Sequence, residues 1–118
     1  PLAAIIVGIY ILKSGYDIGK ENMRYLMGEA PPDETFDRIE KISQSVSGVI
    51  GLNDIRAHLL GTKIDAEVHI YVDKDTKISI AHDIGKRVQK KLESLSEIHR
   101  ANIHIDPFYG TFRKKRKF

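Results

Sequence analysis

IDAEVHIYV, residues 64 to 72, alternates without a break: Ile64, Ala66, Val68, Ile70 and Val72 fall on one side, Asp65, Glu67, His69 and Tyr71 on the other. A side-chain period of two predicts a strand with one face buried. Immediately upstream, Asn53 to Leu60 repeats the pattern, with Ile55, Ala57 and Leu59 apolar and Asp54, Arg56 and His58 polar. Gly61-Thr62-Lys63 between the two runs is short enough to make them a hairpin. A third alternating run, Ala101 to Asp106, sets Ile103 and Ile105 against His104 and Asp106, and Pro107 is expected to stop it.

Two helices flank these strands. From Asp33, a plausible N-cap followed by Glu34 and Asp37 in the first turn, the residues Phe36, Ile39, Ile42 and Val46 form an inward stripe that ends at Gly48. After the polar loop Asp73 to Lys77, Ser79 is expected to cap a second helix. Ile80, Ile84, Val88, Leu92 and Leu95 face inward on it, and Lys86, Arg87, Lys90 and Lys91 outward. The order helix, strand, strand, helix, strand defines an α+β domain, αββαβ. All its apolar faces are hidden if both helices cover one side of one sheet. The other side stays open, carrying Arg56, His58, Glu67, His69, Tyr71, Asn102, His104 and Asp106. An open polar face and free edges invite a partner, most simply a second copy of the chain.

Upstream, PLAAIIVGIYIL is apolar on every side, and the character persists through Tyr16 and Ile18 before Lys20, Glu21 and Arg24. Residues 1–27 are read as a transmembrane helix with a polar extension. Lys20 and Arg24 place its carboxyl end in the cytoplasm by the positive-inside rule. The alternative is a buried core helix of a soluble domain. No basic region precedes the apolar run and no small-residue cleavage site follows it, so a signal peptide is not expected. Gly28 to Pro32 is the linker, residues 33–110 the cytoplasmic domain and 111–118 a basic tail. Pro1 in place of Met suggests a piece of a longer chain.

The 118 residues carry a formal charge of +3, but five cations lie in Arg113 to Lys117, leaving 14 basic against 16 acidic residues elsewhere. The body is mildly acidic, and the tail is expected to be solvated. That distribution, and a sheet face with Tyr71 as its lone aromatic, argue against nucleic acid as a partner. Enzymatic activity is not expected either. The chain has no Cys, no Gly-rich phosphate loop and no supportable Ser-His-Asp set.

Without Cys, strong metal ligands are limited to His and carboxylate. Period two sets His69, His104 and Asp106 on one face, with His82 near the start of the second helix, a donor set suited to zinc or a similar divalent ion. His58 and His99 lack an obvious carboxylate partner and are set aside. No HExxH or HxxxH spacing is present. The pattern alone therefore leaves two readings, a metal site and a solvated polar surface.

In order along the chain, YLMGEAPPDE, GLNDIR, VHIYVD, AHDIGKRVQKKL and NIHIDP resemble the cytoplasmic portion of the cation diffusion facilitator family, over essentially everything up to Pro107. The resemblance implies a multi-pass cell-membrane antiporter that exports divalent metal, commonly zinc, in exchange for protons. This chain would supply its last transmembrane helix and a dimerising regulatory domain of ferredoxin-like, metallochaperone-like fold. By the same resemblance His69, His82, His104 and Asp106 fall where zinc-binding relatives place cytoplasmic ligands. Two departures stand out. Asn53 replaces a His that the family often shows, which favours one site over a two-metal cluster. Gly28 stands where a relative places an Asp that makes a charge contact near the membrane, so that contact is expected to be missing. A purely structural homodimerisation domain without its own metal site is the alternative.

Overall fold

The computed structural model describes residues 1–112 and the backbone of 116–117; the side chains of Tyr25, Arg116 and Lys117 are outside that description. The expected basic tail therefore lies largely outside the described residues. The elements are α1 (Leu2–Leu26), α2 (Asp33–Gln44), β1 (Gly51–Leu60), β2 (Lys63–Asp73), α3 (Ile78–Glu93), β3 (Ile98–Phe108) and the short β4 (Arg116–Lys117). From α2 to β3 they follow the αββαβ order. One sheet runs β3-β2-β1-β4, with β1 and β2 antiparallel, β2 and β3 parallel, and β4 parallel to β1.

The alternation of IDAEVHIYV becomes the floor of the core. Ile64, Ala66, Val68, Ile70 and Val72 are all buried, together with Leu52, Ile55 and Ala57 from β1. Phe36 and Ile39 of α2 and Ile84, Val88 and Leu92 of α3 close over them, so both helices lie on the same side. Each Val, Leu, Ile or Phe among them contributes about 1.5–3 kcal/mol by leaving water, and each Ala less. Those contributions offset the ordering of the strands.

Several boundaries differ from the sequence reading. Asp33 is the first residue of α2 and does not cap it; Pro32 takes the N-cap place at φ −55°, ψ 151°, and no side chain caps the helix. Pro32's carbonyl accepts from Thr35 N at 2.9 Å, which closes the first turn one residue early. Likewise α3 begins at Ile78 with Lys77 at the N-cap, so Ser79 is already helical. Ile80, expected inward, is half exposed. α2 ends at Gln44 and not at Gly48, and Val46 reaches the core from the following turn. Gly48 has φ 98°, and a Cβ there would stand 2.5 Å from Ile84 Cδ1, so the turn needs glycine on both counts. β3 runs past Pro107, which pairs with Val72. An edge strand tolerates proline because one row of its N–H groups has no strand to bond.

α1 is a single helix of 25 residues, about 37 Å long at 1.5 Å per residue. Its stretch Leu2–Arg24 is long and apolar enough to cross a membrane, and none of that stretch is buried against the rest of the chain. The linker docks on the outer edge of β1. Leu59 N donates to Glu29 O at 2.9 Å, His58 Nδ1 lies 3.2 Å from the Gly28 carbonyl, and Pro31 is buried. Arg24 Nη2 donates to Glu29 Oε1 at 3.0 Å. That hydrogen bond, more than the charge itself, holds the Glu29 carboxyl below the usual range.

Candidate metal centre

Because cross-strand partners share a face, strand register decides which polar residues meet. On the open face Asp54 pairs with His69 and Arg56 with Glu67 across β1 and β2. His69 pairs with His104 and Tyr71 with Asp106 across β2 and β3. A register shift between Leu52 and Asp54 leaves Asn53 as the extra residue of a bulge. Bulges re-aim a side chain that regular pleating would send elsewhere.

The two imidazoles lie flat on one another, centroids 4.5 Å apart and planes 10° from parallel. Glu67, two residues before His69 on the same face, reaches both. Its Oε1 lies 3.2 Å from His69 Nε2 and 3.3 Å from His104 Nε2. On the far side of the His69 ring, Nδ1 lies 3.3 Å from Asp106 Oδ2. Asn53 Nδ2 donates to the same oxygen at 3.0 Å. Asp54, opposite His69, keeps Oδ1 buried without a hydrogen-bond partner, while its Oδ2 takes Arg56 Nε at 3.1 Å. Three carboxylates around two imidazoles make this end of the face attractive to a cation.

The structure thus brings together His69, His104 and Asp106 and adds Glu67, which sequence reasoning placed on the open face without assigning it a role. A signal was there: a carboxylate two residues before a histidine on one strand shares its face. His82 stands elsewhere. With Gly85, Lys86 and Gln89 it lines a cleft of about 450 Å³ between α3 and β3, whose other wall includes His104. His58 holds the linker and His99 is exposed. Asn53 turns its amide nitrogen toward Asp106, the carboxylate being able only to accept.

The donor set fits a divalent cation. One ligating atom each from Glu67, His69 and His104 lies within 4.8 Å of the others. Donors at about 2.0–2.1 Å around a tetrahedral zinc ion stand roughly 3.3 Å apart, close to both Glu67–imidazole separations. Nitrogen and oxygen donors without sulfur suit zinc and its first-row neighbours.

Comparison with known proteins bears on the family and the fold. Residues 31–108 match the family model described as cation efflux protein, cytoplasmic domain. An uncharacterized transporter of Methanocaldococcus jannaschii is 42% identical over 105 residues, which cover 89% of this chain and 37% of that protein. Metal tolerance protein 7 of Oryza sativa subsp. japonica is 33% identical over 118 residues, 99% of this chain and 30% of that one. The manganese efflux system protein MneS of Bacillus subtilis is 26% identical, over 90% of this chain and 36% of its own. The chain therefore spans about a third of the length of these relatives. Among solved structures, a manganese form of a MamM C-terminal domain variant superposes with a TM-score of 0.68 at 26% identity, covering 73% of this chain and 96% of that one. A copper form of the same domain gives 0.66 at 26% identity, covering 71% and 94%. With its metallochaperone-like fold and a matched stretch of 78 residues from 31 to 108, the chain belongs to the cation diffusion facilitator family of metal transporters, as the part that carries the cytoplasmic domain.

Proposed function

We propose that this chain is the carboxyl-terminal part of a divalent-cation efflux transporter, a cation/proton antiporter, in which the cytoplasmic domain forms a homodimer and senses metal on its open sheet face. Zinc is the ion the donor set favours. Manganese and copper, the ions of the MamM forms above, are the comparison ions. The observation that carries the reading is the stacked His69–His104 pair with Glu67 Oε1 within 3.3 Å of both Nε2 atoms.

A bound divalent cation would supply positive charge to a face on which Asp54, Glu67 and Asp106 gather. Glu67, His69, His104 and Asp106 would hold it or aim the groups that do. The same domain grips the linker through Leu59 and His58, so a change in how the domain sits reaches the end of α1. Couplings of this type are worth about 1–3 kcal/mol, enough to shift two closely balanced states.

Isothermal titration of the full chain in detergent micelles with zinc tests the reading. Saturable binding at neutral pH is expected. Because neutral imidazole is the ligand, affinity should fall as the solution is acidified and protons compete for the ring nitrogens. Equal affinity at neutral and acidic pH, or none at either, would overturn metal sensing and leave a structural dimerisation domain.

A further inference from the structure

We infer that Glu67, with His69 and His104, supplies the atoms that hold the ion, and that Asp106 is a positioning residue acting from behind His69 while Asn53 aims it. This rests on the metal-sensing reading above and divides the labour within that site. The division follows from the His69 ring. Its Nε2 faces Glu67 Oε1 at 3.2 Å and its Nδ1 faces Asp106 Oδ2 at 3.3 Å. The two nitrogens of an imidazole point away from each other, so an ion bound at Nε2 is not bound through Nδ1.

Which nitrogen takes the ion is decided by the second imidazole. His104 Nε2 stands 3.3 Å from Glu67 Oε1, so three donors converge on the Nε2 side of His69. On the Nδ1 side Asp106 Oδ2 meets the amide of Asn53 at 3.0 Å. The amide N–H donates to that oxygen, and an Nδ1–H tautomer of His69 would donate to it as well. With Nδ1 carrying the proton, the lone pair of neutral His69 sits on Nε2, directed at the ion, which is how carboxylates behind ligating histidines act in metal sites generally. Asn53 reaches Asp106 from the bulge that opens between Leu52 and Asp54.

The test is zinc titration of the full chain in detergent micelles for the unchanged protein, E67Q, D106N and N53A. It is paired with ring-nitrogen NMR of histidine-labelled protein at saturating zinc, and circular dichroism shows that each variant keeps its fold. The unchanged chain should bind one zinc per chain, with His69 metallated at Nε2 and protonated at Nδ1. E67Q should lose more than about 100-fold in affinity, the upper cost of disturbing a partner behind a ligating histidine, and D106N about 10–100-fold. D106N should keep the Nε2 metal signature while its Nδ1 resonance moves. N53A should weaken zinc less than D106N does. If D106N abolishes binding while E67Q binds like the unchanged chain, or if His69 is metallated at Nδ1, the roles are reversed and the inference falls, although metal sensing stands. No zinc bound by the unchanged chain overturns both.

Discussion

His69 is met by a carboxylate at each ring nitrogen, and no other imidazole among the described residues is so enclosed. Its side chain is 23% exposed against 54% for His104. On the proposed reading, His69→Ala should remove a ligand and leave Glu67 and Asp106 without their common partner, whereas His104→Ala should remove one from the rim. Both are expected to weaken zinc strongly by calorimetry, and His99→Ala, altering an exposed ring, to leave the titration unchanged. Gly48 offers a residue-scale test of the fold. Ala there meets Ile84 at 2.5 Å in a backbone at φ 98°, and strain of this kind costs about 1–3 kcal/mol. Thermal unfolding followed by circular dichroism should show a lower midpoint for Gly48→Ala.

Among the elements, α3 is held to the sheet by Ile84, Val88 and Leu92. Leu92 is fully buried, so Leu92→Ala should destabilise by about 2–5 kcal/mol, read in a denaturant titration. The linker is held more lightly. Arg24 depresses the Glu29 carboxyl, so the pair favours the docked linker above the carboxylate's ordinary range. That contribution is lost as pH falls through the depressed folded value. The pair is exposed to solvent, hence its effect should shrink with added salt. Arg24→Gln should return the Glu29 titration, followed by carboxyl carbon NMR, to that of an ordinary glutamate. A Glu29 that titrates low without Arg24 would show that another group lowers it. The segment is also held to β1, with the Gly28 carbonyl accepting from the His58 ring and the Glu29 carbonyl from Leu59 N.

At the scale of the whole molecule, a helix fit to span a membrane leads into a sheet with one covered face and one polar face. Pairing of two such domains would shelter part of the open face, and a cation held there would relieve repulsion among its carboxylates. Sedimentation of the chain in matched-density micelles is expected to show a dimer, more compact with zinc than with a chelator. A monomer under both conditions would refute the pairing. Much of this architecture was legible locally. Alternation from Ile64 to Val72, the stripe Phe36-Ile39 and the stripe Ile84-Val88-Leu92 each report their buried side within a few residues. The apolar run to Ile18 and the Gly28 to Pro32 break report the helix and the linker in the same way. Helix starts were less legible, because Pro32 and Lys77 took the cap places without using a side chain.

What the sequence determined by itself was the face of each strand, since period two follows from backbone geometry alone and sends His69, His104, Glu67 and Asp106 to one side. Which of them touch was settled by the tertiary structure. The parallel register of β2 with β3, the bulge at Asn53 and the position of α3, which holds His82 along the cleft beside β3, depend on how distant segments pack. Local pattern carries no record of a partner 37 or 53 residues away, because that pairing is selected by the burial of the opposite, apolar face.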